Sequence, residues 1–411
     1  MNKTTSRKLI LGIQHVLAMF GATVLVPALT GLNTSITLIC AGLGTLLFHL
    51  VTKRKVPVFL GSSFAFMGGI MAVIGDSRAG DPDFLEKLAS LKGALIIAGL
   101  VYAVFALIIK LVGYEKVNKV LPPIVTGPVI IVIGLRLSSS AINNAFYVNG
   151  DFNLKAVVVT ICVLATVVAV SIFAKGIFNL MPILFAIIVG YLVALFFYNV
   201  DTAPIKEAAW FALPQFVTPD FSWAAIIYMV PVAIAPVIEH IGDVYAVNSV
   251  AGKDFVKNPG LHRTLLGDGL ACVFAGLIGG PPVTTYSEVT GAVSLTKVTS
   301  PAVIRIAAVT GIVFSVFGKI SALLKSIPAS VLGGIMLLLF GTIASLGMSN
   351  LIQNKVDLSN TRNMIIVSLI LTFGIGGAAF EWGNFSMSGI GLAALLGVIL
   401  NLILPTKESK A

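Results

Sequence analysis

Residues 57–66 read Pro57-Val-Phe-Leu-Gly-Ser-Ser-Phe-Ala-Phe66, and residues 281–288 read Pro281-Pro-Val-Thr-Thr-Tyr-Ser-Glu288. Each stretch opens on proline, holds hydroxyl side chains at its centre and is followed by glycine, Gly68-Gly69 in the first and Gly291 in the second. Each lies in an apolar region, yet neither makes a full-length apolar helix. Proline removes a backbone donor and breaks the helical ladder. Irregular backbone at membrane depth survives only where it is buried in protein or lines a cavity. A matched pair of interrupted segments, one in each half of a chain, therefore points to a binding site near the bilayer midplane. The plainer alternative is a pair of kinked helices that serve packing alone.

The composition supplies the solvent for this reading. Of the 411 residues, 57% are hydrophobic and only 11% charged, and the mean hydropathy is +1.01. Soluble domains average about 25% charged residues, so the bilayer must cover most of this surface. The net charge of +10 gathers in short clusters between apolar runs, with no basic stripe interleaved with aromatics, and a nucleic-acid partner is not expected. Cys40, Cys162 and Cys272 lie inside apolar runs without metal-site or redox spacing. No phosphate-binding loop, dinucleotide fingerprint or metal-ligand spacing appears. Neither enzyme activity, a cofactor nor a bound metal is expected. The first apolar run, from about Leu9 to Leu32, is long enough to span and lacks a small-residue cleavage site, so it reads as a helix.

Fourteen apolar segments follow from a pass along the chain, near 9–32, 35–51, 57–75, 91–113, 118–140, 154–173 and 176–198, then 223–249, 263–279, 281–297, 300–319, 327–348, 361–379 and 386–404. With the N-terminus inside, 19 of the 27 Lys and Arg residues fall on the cytoplasmic side. That bias predicts fourteen spans in a cell (plasma or inner) membrane with both termini cytoplasmic. Seven is odd, so the second half enters the membrane in the opposite sense to the first. The fold class is an all-α polytopic membrane protein built as a 7+7 inverted repeat.

The acidic residues locate the chemistry. Glu239, Asp243, Asp268 and Glu288 lie within or near apolar segments. A carboxylate near mid-span costs about 2.5–3.5 kcal/mol on insertion scales and is read as functional. Glu239 and Asp243 are four apart and share a helix face. At about 6 Å and an effective dielectric of about 20, two such charges repel by about 2.8 kcal/mol, so the pair is expected to hold a proton at neutral pH. His240, about 100° round the helix from Glu239, is equally a proton-coupling or a structural group. Gln14 and His15 form a polar pair in the first span, expected to support the site. Asp268, between Gly267 and Gly269, is expected near the cytoplasmic end of span 9. Gly276 and Gly280 have the spacing of close helix packing.

Five stretches carry a family resemblance: Gln14-His15-Val-Leu-Ala-Met-Phe-Gly-Ala-Thr-Val-Leu-Val-Pro27, Leu60-Gly-Ser-Ser-Phe-Ala-Phe66, Glu239-His-Ile-Gly-Asp243, Asn258-Pro-Gly-Leu-His-Arg263 and Thr284-Thr-Tyr-Ser-Glu288. The chain resembles the nucleobase–ascorbate transporter family and, within it, the bacterial uracil permeases, over nearly its whole length. The resemblance implies a core domain at 1–113 and 223–319 and a gate domain at 114–222 and 320–411. It implies a short strand and a half-helix in each of spans 3 and 10. It places Glu239 and Glu288 on the base, with the backbone at Phe64 and Ser287 completing the contact, beside Tyr286. Proton coupling falls to Asp243, Glu239 and His240, with Gln14, His15 and Phe340 in support. It also implies a homodimer with lipid around it.

Uracil offers two N–H donors and two carbonyl acceptors on a flat ring. Carboxylates can take the N–H groups, backbone amides at broken helices can meet the carbonyls, and Phe64 offers an apolar face. Asp243 stands where the family's uracil permeases carry His, Phe340 where they carry Tyr, Ser287 where they carry Gly and Val289 where they carry Asn. The spacing of Glu239 and Asp243 is that of the purine-transporting branch, which carries Gln-Asn in place of Glu288-Val289. Uracil–proton import is the leading expectation. A purine permease, an anion carrier of the same architecture and a non-transporting membrane scaffold are the alternatives.

Overall fold

The structure is a computed structural model that describes residues 3–75, 77, 81–113, 116, 119–176, 178–198, 200–211, 217–285, 293, 299–382 and 385–405, with side chains for all of these except 3–7, 180, 204, 381–382 and 385–388. Among the described residues, eight helices are long and apolar enough to cross a membrane alone, and five more are shorter apolar helices. Spans 1 and 2 are the helices Lys3–Thr30 and Thr34–Val51. Span 3 begins as strand β1 (Leu60–Ser62), turns through a short 3-10 helix at Phe64–Phe66 and ends in the half-helix Met67–Ile74. Spans 4 to 7 are Phe84–Val112, Pro123–Phe146, Leu154–Phe173 and Pro182–Phe197.

Span 8 comes in two pieces, Trp223–Val232 and Ile234–Ala251. Pro231 lies inside the first piece, and Pro236 in the second lacks the N–H that would bond the Val232 carbonyl. Span 9 is Leu261–Ile278, and span 10 opens on strand β4 (Val283–Thr285). Spans 11 to 14 are Pro301–Ser315, Ala329–Gln353, Thr361–Ile375 and Gly389–Ile403. Two surface hairpins complete the strands: β2 (Tyr147–Val148) with β3 (Asp151–Phe152), and β5 (Ala379–Trp382) with β6 (Phe385–Ser388).

Local chemistry sets several boundaries. Asn33 caps span 2, its side chain accepting from the Ile36 N–H at 3.2 Å. Spans 5, 7 and 11 each carry proline in the first turn, where the missing N–H is harmless. The repeat is visible in the packing. Span 5 lies along span 12 and span 2 along span 9; span 9 also packs on span 4, and span 2 on span 11. Spans 6 and 7 pack together, as do spans 13 and 14. Shifting each span by seven, from one half to the other, maps 4–9 onto 2–11 and 6–7 onto 13–14, and maps 5–12 and 2–9 onto themselves. The chain is a multi-pass membrane protein with the inverted-repeat architecture that the interrupted stretches imply.

Small residues bring the helices close. A Cβ on Gly269 would stand 2.8 Å from the Gly99 carbonyl oxygen, and one on Gly99 would stand 2.7 Å from the Gly269 oxygen. The backbones of spans 4 and 9 therefore touch, as small-residue packing in membranes predicts.

Candidate functional site

Strands β1 and β4 pair antiparallel, with Leu60 opposite Thr285, Gly61 opposite Thr284 and Ser62 opposite Val283. A two-stranded ribbon has two open edges, and inside a membrane every exposed backbone group there must find a partner in the protein. Polar side chains of the surrounding spans supply them. The Leu60 N–H donates to Thr45 Oγ1 at 2.8 Å. The Thr285 N–H donates to Asp268 Oδ2 at 3.0 Å. Ser62 Oγ donates to the Thr23 carbonyl at 2.7 Å, and the Ser63 N–H to the Pro282 carbonyl at 2.9 Å. Spans 1, 2 and 9 thus fix the ribbon where spans 3 and 10 break.

Span 8 adds the next layer. His240 is fully buried; its Nδ1 lies 2.8 Å from Asp268 Oδ2 and 3.2 Å from Thr285 Oγ1, and its Nε2 lies 2.9 Å from Thr264 Oγ1. The Thr264 hydroxyl spends its single proton on the Leu261 carbonyl at 2.9 Å. It must therefore accept from His240, and Nε2 carries a hydrogen. Hydrogen bonding between His240 and Asp268 is what lets a dry interior hold a carboxyl beside an imidazole. Asp268 is not at the end of span 9: it is the eighth residue of that helix, about 10 Å along it, and fully buried. The sequence expectation for it is corrected accordingly, and the reason is its partnership with β4.

Glu239 and Asp243, one turn apart, both line a cavity of about 450 Å³ together with Phe64 and Ala65 from the break in span 3. Ile130 and Ile133 of span 5 and Ile343, Leu346 and Asn350 of span 12 form the opposite wall. Phe64 is 8% and Asp243 6% exposed, while Glu239 is half-buried. A second cavity of about 740 Å³ shares Ile238, Gly242, Ala246, Asn350 and Gln353 with the first and continues past Tyr245 and Ser249 to Asn354. The two form one path from the break in span 3 to the ends of spans 8 and 12.

The remaining expected residues are placed as follows. Tyr286, Ser287 and Glu288 lie outside the described residues; the strand that leads into them ends at Thr285. Gln14 is half-buried in span 1. His15 is 2% exposed, with Nδ1 2.8 Å from the Leu11 carbonyl of its own helix. Phe340 is fully buried on span 12, where it adjoins Gly134 of span 5. Sequence reasoning missed Thr45, Thr264, Thr285 and Asn350. Thr264 is four residues before Asp268 on one helix face, a spacing that could have flagged the pair.

An apolar ring face, two carboxylates and the backbone of a broken span can hold a small flat molecule bearing N–H donors. Comparison with known proteins agrees with a permease rather than an enzyme. Residues 6–381 match the model of the Permease family (Xan_ur_permease). The uracil permease of Bacillus caldolyticus is 46% identical over 416 residues, covering 99% of this chain and 94% of the relative. The uracil permease of Bacillus subtilis (strain 168) is 46% identical over 413 residues, covering 97% and 93%. Among solved structures, the transmembrane domain of the cyanobacterial bicarbonate transporter BicA superimposes with a TM-score of 0.66 over 98% of both chains, at 18% identity. That likeness concerns the fold alone. On the match along its length and the full-length identity to permeases, the chain belongs to the nucleobase–ascorbate transporter family.

Proposed function

We propose that the protein imports uracil together with a proton. The observation that carries the reading is the cavity in which Phe64, Glu239 and Asp243 meet at the break in span 3. The 46% identity to uracil permeases supports uracil as the base. In this reading the ring lies against Phe64, and Glu239 and Glu288 accept the two N–H groups as charge-assisted bonds. Backbone amides at Phe64 and Ser287, with Tyr286 beside them, meet the carbonyl oxygens. Asp243, with Glu239 and His240, carries the coupling proton. Two carboxylates on the cavity wall make it a poor anion site, which sets the reading apart from that of a bicarbonate carrier.

Movement follows from the packing. Spans 1–4 with 8–11 act as a core and spans 5–7 with 12–14 as a gate, and the cavity lies on the seam between span 8 and spans 5 and 12. Lys116, Lys119, Lys253, Lys257 and Lys355 fall near the end at which the path opens, the side that the positive-inside rule assigns to the cytoplasm. The conformation described is then the cytoplasm-facing one. Rocking of core against gate would open the site to the other side. Calorimetric titration tests the site: Glu239→Gln and Glu288→Gln should each weaken uracil binding at least about tenfold, or about 1.4 kcal/mol. Unchanged affinity in both variants would remove the carboxylates from the base.

A further inference from the structure

A cavity of about 600 Å³ opens on the flank of spans 2, 9 and 11 and shares no lining residue with the site above. Its walls divide by chemistry. Leu43, Leu47 and Leu50 form a stripe along span 2 at helical spacing, and Phe274 of span 9 lines the same space. Leu50 is 65% exposed, so this wall meets the acyl region of the bilayer. The polar part comes from Arg54, just past the end of span 2, and Arg305, the fifth residue of span 11. The two helices pack together, a Cβ on Gly42 meeting Ile312 and the Ala308 carbonyl, and Leu50 and Arg54 line the same space as Arg305. The start of span 11 therefore lies beside the last turn of span 2, and the two arginines belong to one end of the cavity, at headgroup depth.

Among the described residues no carboxylate pairs with Arg54 or Arg305, and Nη1 of Arg305 is buried without a hydrogen-bond partner. Asp254 of the loop after span 8 is taken by Lys257 at 3.5 Å. A buried guanidinium donor without an acceptor is unfavourable, and a phosphate group accepts two of its N–H bonds at once. Phosphate at the boundary with apolar chains below it is the plan of a phospholipid. A zwitterionic headgroup would add a third cation, so the unpaired charges select an anionic one.

We propose that this cavity binds one anionic phospholipid, with its phosphate between Arg54 and Arg305 and an acyl chain along the Leu43–Leu47–Leu50 stripe. His49 also lines the cavity and donates from Nε2 to the Val58 carbonyl at 2.9 Å, so the lipid sits one side chain away from the segment that leads into β1.

The test is native mass spectrometry of the detergent-solubilised protein titrated with dioleoylphosphatidylglycerol or dioleoylphosphatidylcholine. The parent should retain the anionic lipid at least about fivefold better, and Arg54→Gln and Arg305→Gln should each reduce that preference about fivefold. Lys53→Gln, an exposed cation of the same turn that does not line the cavity, should leave it unchanged. If Arg305→Gln fails to fold, Arg54→Gln on the exposed turn carries the test alone. No preference in the parent, or a preference that survives the arginine variants, overturns the proposal. Inorganic phosphate that displaces the lipid preference entirely would mark a free-anion site and overturn it as well.

Discussion

Nδ1 of His240 stands 2.8 Å from Oδ2 of Asp268, and neither side chain reaches solvent. The same oxygen accepts the Thr285 N–H at 3.0 Å, so one carboxylate oxygen joins span 8, span 9 and the strand of span 10. Asp268→Ala should leave the Thr285 N–H and His240 Nδ1 without this partner, at about 1–3 kcal/mol each. Asp268→Asn keeps an oxygen for the Thr285 N–H and should lose less. Fluorescence-detected thermal unfolding distinguishes the two; equal melting of Ala and Asn variants would contradict the bridging role.

Thr45 holds the other strand. Its hydroxyl is the acceptor for the Leu60 N–H at 2.8 Å and is fully buried. Thr45→Val preserves shape and removes the acceptor, so stability should fall by about 1–3 kcal/mol. Thr45→Ser should retain most of it. The same melting assay, together with uracil affinity, reads both effects, and a Val variant as stable as the parent would show that Leu60 finds another partner.

How much of this was legible in the sequence differs between the fold and the site. Proline and hydroxyl residues at 57–66 and 281–288 marked the breaks because interrupted backbone in an apolar run has few other uses. Glu239 and Asp243 were readable as a pair because helix periodicity is local. The His240–Asp268 contact was not, since it joins residues 28 apart through a strand whose register only the folded chain defines. A signal was nevertheless present. Asp268 sits between two glycines, and a Cβ on Gly267 would stand 2.7 Å from the Phe48 ring while one on Gly269 would stand 2.8 Å from the Gly99 oxygen. An acid flanked by residues shaped for close packing belongs to the interior rather than to a helix end. Phe340 shows the opposite limit: only correspondence to a family tyrosine points to it, and its side chain is fully buried on span 12.

Asp243 should separate binding from coupling. It lines the cavity at the break in span 3 at 6% exposure, one turn from Glu239. Asp243→Asn fixes the position as neutral, so base binding and base exchange across the membrane should persist while accumulation driven by a proton gradient is lost. Proteoliposomes with and without an imposed inward gradient give the measurement. A variant that still concentrates uracil as well as the parent would move the proton to Glu239 or His240.

The central claim is that the cavity at Phe64, Glu239 and Asp243 serves a pyrimidine base. Its most direct test is uptake of radiolabelled uracil into proteoliposomes, challenged in turn by excess unlabelled uracil, thymine, xanthine, guanine and hypoxanthine. Unlabelled uracil should abolish uptake while the three purines leave at least half of it. Saturable uptake that xanthine, guanine or hypoxanthine blocks and uracil does not, or no uracil uptake at all, would contradict the account.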